Sequence, residues 1–117
     1  MKKILIVEDD ATTAGLLKTY LVSKQLEVQT AMDGLEALEK IKKSAPDLMV
    51  LDVLMPKLDG YGFLLEIKKD AKLRSIPVVV VSGRELMRDM FVQEGVKDFI
   101  TKPYDPAELY KTIIRYL

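Results

Sequence analysis

The chain has 117 residues, 49% of them hydrophobic, which suits one domain with a substantial core. Eighteen basic and eighteen acidic side chains cancel, which argues against a surface built to bind nucleic acid or an anionic membrane, because those partners need a basic excess. Cysteine and histidine are absent, which excludes thiolate chemistry, Ser-His-Asp triads and histidine-ligated metals. A metal site would have to use oxygen ligands, which favour Mg²⁺ over zinc.

Short apolar runs recur along the chain and predict strands covered on both faces, since they do not alternate with polar residues. They span residues 4–7, 28–31, 48–51, 78–81 and 99–100. Amphipathic stretches at helical spacing follow them, carrying Leu16, Leu17, Tyr20 and Leu21; Leu35, Leu38 and Ile41; Phe63, Leu64 and Ile67; Met87, Met90 and Phe91; and Leu109, Ile113, Ile114 and Leu117. Helix N-caps are expected at Thr12, Asp33, Asp59 and Asp105. Alternation of strand and helix predicts a parallel sheet with helices on both sides, in a single domain over residues 1–117.

Polar side chains follow four of these predicted strands. They are Glu8, Asp9 and Asp10 in VEDD, Asp52 in VLD, Ser82 and Gly83 in VVSG, and Lys102 before Pro103 in ITKP. The carboxyl ends of parallel strands meet at one edge of a sheet, with neighbouring strands about 4.8 Å apart. Two carboxylates about 5 Å apart repel by about 3 kcal/mol at an effective dielectric of about 20, so the cluster should attract a cation such as Mg²⁺. With a lysine ammonium and a hydroxyl beside it, the edge suits a phosphoryl group held on a carboxylate oxygen.

Each of these residues also has an ordinary structural interpretation when it is taken alone. Asp9 or Asp10 could be a helix N-cap, Lys102 a solvated surface lysine, and Ser82 with Gly83 a simple turn. Their coincidence at one edge of the sheet favours the functional interpretation.

The motifs VEDD, LDVLMPKLDG, VVSG and FITKP, in this order, resemble the receiver domain of a two-component response regulator of the chemotaxis-regulator kind, over essentially the whole chain. The resemblance implies a flavodoxin-like (βα)5 three-layer sandwich with strand order 2-1-3-4-5. It implies that Asp52 is the phosphoacceptor. It also implies that Asp9 ligates Mg²⁺ directly and Glu8 through water, with Asp52 and the backbone carbonyl of Leu54 as further ligands.

The same resemblance assigns roles around the acceptor. Lys102 would pair with the phosphoryl oxygens, and its peptide bond to Pro103 would be cis. Ser82 would be the switch hydroxyl, and Phe99 occupies the switch aromatic position, although a plain core aromatic is an equally open interpretation. Gly83 lies beside the pocket, and Leu54 and Arg84 should overhang it. Because Leu54 cannot orient a water and Arg84 could bind a phosphoryl oxygen, we expect a longer-lived phosphorylated state than in relatives with Asn and Glu there.

The function implied is signalling by phosphorylation. A sensor histidine kinase or a histidine phosphotransfer protein would donate the phosphoryl group, and the face of helix 4, strand 5 and helix 5 would change for a downstream effector or a fused output domain. No enzymatic activity is expected beyond self-catalysed phosphotransfer and autodephosphorylation, and no contact with nucleic acid or membrane. Thr112 stands where a basic residue would support dimerisation, so the unphosphorylated protein should be a monomer. Without an export signal or cysteine, a cytoplasmic location is the default expectation.

Two alternatives stay open. A phosphohydrolase with an aspartyl-phosphate intermediate commonly needs a second acid two residues after its nucleophile, and Leu54 occupies that position. A receiver-like scaffold that never accepts a phosphoryl group would keep the fold, but it would not require the whole set of site residues.

Overall fold

The computed structural model describes residues 1–52 and 60–117, so Leu54 and the N-cap expected at Asp59 lie outside the described residues. The strands are β1 (Lys3–Val7), β2 (Glu27–Ala31), β3 (Leu48–Asp52), β4 (Val78–Ser82) and β5 (Asp98–Thr101). The helices are α1 (Ala11–Ser23), α2 (Gly34–Lys43), α3 (Gly60–Lys68), α4 (Arg88–Gln93) and α5 (Pro106–Tyr116). A 3-10 turn, Glu85–Met87, leads directly into α4.

These strands form one parallel sheet in the order β2-β1-β3-β4-β5, which confirms the predicted flavodoxin-like three-layer sandwich. Each predicted strand is present and is at least one residue longer than its apolar run; β3, β4 and β5 extend past the carboxyl end of that run. Asp52 pairs in register with Val81, and Ser82 with Thr101. The polar residues at these positions are therefore the last residues of β3 and β4, held by the backbone pairing of the sheet.

Successive side chains of a strand point to opposite faces, and this alternation divides the core into two layers. In the α1/α5 layer, Ile4, Ile6, Leu48 and Val50 of the sheet pack with Leu17, Leu21, Leu109 and Ile113 of the helices. In the α2/α3/α4 layer, Leu5, Val7, Met49 and Leu51 pack with Ala37, Ile41, Phe63, Ile67 and Phe91. Both faces of the central strands are thus buried, as the unbroken apolar runs predicted.

Aspartates cap the helices that flank the site. Asp33 and Asp105 are N-caps as predicted, whereas the expectation at Thr12 is wrong. The N-cap of α1 is Asp10, whose Oδ1 accepts the backbone N–H groups of Thr12 (2.9 Å) and Thr13 (3.3 Å). Thr12 cannot be the cap because it already lies inside the helix, which begins at Ala11.

Fewer apolar helix residues are buried than their helical spacing predicted. Leu16, Leu35 and Ile114 are exposed by 69%, 53% and 46%, respectively. A helix turns about 100° per residue, so a residue next to a buried position falls outside the face that meets the sheet. None of the helices within the described ranges has the length and apolar character needed to cross a membrane.

Gln25, just after α1, offers a test of local strain. Its φ is 70°, in the left-handed region where a side chain costs about 1–2 kcal/mol, and the equivalent place after α4 holds Gly95 with φ 90°. Replacing Gln25 by glycine should raise the free energy of unfolding by about 0.5–1 kcal/mol, because relief of strain exceeds the added entropy of the unfolded chain. The same change at the last helical residue of α4, Gln93→Gly, should lower it by up to about 1 kcal/mol. Urea denaturation compares the two, and a Gln25→Gly variant less stable than wild type would contradict the strain.

Candidate functional site

The site is built where the central strands end. Asp52, the last residue of β3, is 5% exposed, and Glu8, directly after β1, is 7% exposed. The backbone N–H of Glu8 donates to the carbonyl of Ala31 (2.9 Å), and that of Lys102 donates to the carbonyl of Ser82 (2.8 Å). Sheet hydrogen bonding therefore continues to Glu8 and Lys102 themselves, which holds their backbones in line with the strands.

Lys102 lies across from the acids. Its Nζ is 2.7 Å from Oδ2 of Asp52 and 3.5 Å from Oε1 of Glu8. Alternation along the strands explains this meeting, because these residues continue the positions of Ile6, Val50 and Ile100, which belong to the α1/α5 layer. The structure thus brings together a carboxylate and an ammonium that the sequence placed on different strands.

The carboxylates of Glu8, Asp9 and Asp52 form the candidate metal site. Each offers an oxygen atom, and these atoms all lie within 4.8 Å of one another. A set of a few carboxylate oxygens fits Mg²⁺, which prefers hard oxygen ligands and keeps part of its water shell. Asp10, the next residue after Asp9, instead has a structural role as the N-cap of α1.

The crowded, buried position of Glu8 changes its pKa. Burial, together with the neighbouring Asp52, raises the pKa of Glu8 to about 8, although the charge of Lys102 acts in the opposite direction. Burial lowers the pKa of Lys102, but its contacts with Asp52 and Glu8 outweigh that effect and hold the pKa above its ordinary value. The site therefore keeps the ammonium charged and resists a full set of negative charges.

The other predicted residues lie in β5 or near the carboxyl ends of β4 and β5. The hydroxyl of Ser82 is buried and accepts the backbone N–H of Arg84 (3.0 Å), while the Arg84 side chain is exposed. An added Cβ at Gly83 would meet nothing within 4 Å, so this position is open. The Lys102–Pro103 peptide bond is cis. Phe99 is 2% exposed and packs in the α2/α3/α4 layer.

Tyr104 and Thr13 are pocket residues that the sequence analysis did not identify. Both line the space beneath Glu8 and Asp52, together with Leu17 of α1. Tyr104 follows Lys102 by two residues, and burial raises the pKa of its phenol. Its closeness to Lys102 in sequence was the available signal, but an aromatic in a loop is not distinctive without the fold.

Comparison with known families agrees with this geometry. A family model described as response regulator receiver domain matches residues 4–114. The chain is 40% identical over 110 residues to the probable transcriptional regulator ycf27 of Pyropia yezoensis, covering 92% of this chain and 44% of that protein. It likewise spans 42% of the ycf27 relative from Guillardia theta, so the chain has less than half the length of these relatives.

Solved structures are similar over nearly the whole chain. The chemotaxis protein CheY4 of Vibrio cholerae matches with a TM-score of 0.92 and 28% identity, covering 100% of this chain and 99% of that one. The receiver domain of the sensor histidine kinase PA1611 of Pseudomonas aeruginosa matches with a TM-score of 0.89 and 28% identity, covering 98% and 96%. That structure has a magnesium ion coordinated in its active site cleft.

The raised pKa of Glu8 predicts how stability depends on pH in the metal-free protein. The folded state holds a proton on Glu8 that the unfolded state releases near pH 4.5, so stability falls as pH rises from about 4.5 to 8. Glu8→Gln should remove this decline and exceed wild type at pH 8 by at least about 1 kcal/mol. Urea denaturation with a chelator at pH 5 and pH 8 measures it. If the free energy of unfolding of Glu8→Gln differs between pH 5 and pH 8 as much as that of wild type, Glu8 is not the source of the pH dependence.

Proposed function

Because this chain belongs to the response regulator receiver domain family of two-component signalling, we propose that it is switched by phosphorylation of Asp52. The observation that carries the proposal is the position of Asp52, buried at the end of β3 with Lys102 Nζ 2.7 Å away and two further carboxylates beside it. A nucleophilic carboxylate, a cation site and an ammonium are thereby gathered at one point.

Each residue has a chemical role in this proposal. An oxygen of Asp52 attacks the phosphorus of a phosphohistidine, and the bond from phosphorus to the imidazole nitrogen breaks. Lys102 then moves its contact from the free carboxylate to the phosphoryl oxygens, and the Ser82 hydroxyl donates to another of them. Mg²⁺, held by Asp9 and Asp52 and by Glu8 through water, would neutralise charge on the transferred group. The magnesium ion reported for the PA1611 receiver domain supports this assignment.

The phosphohistidine donor would lie outside this chain. The chain has no histidine, so the phosphohistidine would belong to a sensor histidine kinase or a histidine phosphotransfer protein. We propose no further enzymatic activity, since the described residues gather the parts for transfer to and from Asp52 itself. The signal would pass to a separate effector or to a fused output domain, for which the longer ycf27 relatives have room.

The output face comprises α4, β5 and α5. An aromatic row leads toward it: the ring centroids of Tyr61 and Phe91 are 5.7 Å apart, and those of Phe91 and Phe99 are 6.2 Å apart. Repacking along this row would carry a change near the acceptor to β5. On the same face, Asp98 pairs within the chain with Arg115 at 3.6 Å, which supports a monomer in the absence of phosphorylation.

Phosphorylation should occur on Asp52 alone. Incubation with acetyl phosphate and Mg²⁺ should add one phosphoryl group, detected by intact mass, because no other described acid combines burial with a lysine ammonium as close as 2.7 Å. The mass of Asp52→Asn should not increase, whereas Asp10→Asn should gain one phosphoryl group as wild type does. An equal mass gain in Asp52→Asn would overturn the assignment, and no gain in the wild type would favour the scaffold.

Magnesium binding should depend on Asp9. Asp9→Ala should lose Mg²⁺ binding in calorimetric titration, while its stability without metal is equal to or above that of wild type, because one member of a repelling cluster is gone. Asp10→Ala is the matched control: it should bind Mg²⁺ but lose about 1 kcal/mol of stability with its N-cap. Binding by Asp9→Ala with wild-type affinity would mean that the acids do not form a metal site.

A further inference from the structure

A network of side chains joins the segment after β4 to β5, and Glu85 is its centre. Oε1 of Glu85 accepts from Nε of Arg88 (2.6 Å), and Oε2 accepts from Nη2 of Arg88 (3.0 Å) and from the hydroxyl of Thr101 (2.6 Å). The guanidinium of Arg88 in turn lies 5.0 Å from the ring centroid of Phe99. Two residues of β5 thus hold the beginning of α4.

This network sits close to Ser82 in the chain and in space. Thr101 is the register partner of Ser82, and only Gly83 and Arg84 separate Ser82 from Glu85. Side-chain packing holds neither of these two residues. An added Cβ at Gly83 would meet nothing within 4 Å, and the Arg84 side chain is exposed. At the far end of this short segment, the side-chain bonds of Glu85 tie it to β5, while Met87 packs against the α2/α3/α4 layer.

The Ser82 hydroxyl would have to move to meet a phosphoryl group on Asp52. Asp52 pairs in register with Val81, not with Ser82, and alternation places Ser82 on the face of Val80, in the direction of the α2/α3/α4 layer. In the present arrangement its oxygen accepts the N–H of Arg84, within the segment that Glu85 fastens. Movement of the hydroxyl toward Asp52 therefore pulls on the contacts of Glu85.

We propose that Glu85 is a positioning residue for Ser82: its bonds to Thr101 and Arg88 hold the 83–88 segment against β5 and keep the Ser82 hydroxyl in its resting place. This inference rests on the proposed phosphorylation of Asp52. The contacts favour the arrangement without a phosphoryl group, so weakening them shifts the population toward the arrangement that binds one.

The test uses beryllofluoride with Mg²⁺ as a stand-in for the phosphoryl group. Glu85→Ala should bind it about fivefold more tightly than wild type, at the low end of typical coupling between sites, and should react faster with acetyl phosphate. Thr101→Val removes only the bond between elements and should change the affinity in the same direction. The double variant should gain less binding free energy for beryllofluoride than the sum of the two single gains, because both single changes delete the same bond between Glu85 and Thr101.

A matched control separates positioning from general stabilisation. Glu66→Ala deletes an exposed pair of the same spacing, Glu66 with Lys69 at 3.0 Å in and just after α3, and should leave beryllofluoride affinity unchanged. If Glu85 acted only as a stabilising ion pair, Glu85→Ala would lower the free energy of unfolding with unchanged affinity, and that result would overturn the proposal. Weaker binding would overturn it as well. If wild type binds no beryllofluoride in the presence of Mg²⁺, the proposed function itself fails.

Discussion

Repulsion between the carboxylates of Glu8 and Asp52 is the interaction around which the site is organised. The two acids extend neighbouring strands, β1 and β3, which are covered by apolar layers on both faces. Because the sheet fixes their backbones, the acids cannot separate to relieve the repulsion. Relief has to come from a positive charge or a proton. Lys102 supplies part of it. Burial, together with the neighbouring Asp52, raises the pKa of Glu8, and the remaining repulsion favours a divalent cation at the site.

The site has a fixed half and an adjustable half. The fixed half is made of Glu8, Asp52 and Lys102, whose backbones continue the pairing of the sheet. The adjustable half follows Ser82, where the chain leaves β4 and is held by side-chain contacts of Glu85 near the surface. Contacts of that kind are individually modest, so they can be exchanged for others without loss of the fold. Under the proposed function, a carboxylate held by the sheet beside a displaceable hydroxyl is the arrangement that a switch requires.

Much of this architecture could be predicted from the sequence, for identifiable reasons. The strands were predictable because buried parallel strands are continuous apolar runs, and the carboxyl-edge rule then brought Asp52 and Lys102 together. Exposure of Leu16 was not predictable, because neighbouring leucines on a helix look equivalent until the packing partner is known. The bond between Glu85 and Thr101 was equally hidden, since it joins residues sixteen positions apart through surface side chains that carry no periodic signal.

The two-layer packing of β3 also limits how this sequence can change over evolutionary time. Leu48 and Val50 face one layer, Met49 and Leu51 face the other, and Asp52 continues the first set. Insertion or deletion of a single residue within β3 would exchange the two sets and turn the carboxylate of Asp52 away from Lys102. The same two-residue alternation of side chains along β3 therefore sets both the core packing and the orientation of Asp52. Length variation among descendants of this chain should accumulate in its connections, such as the stretch between α3 and β4, and not within its central strand.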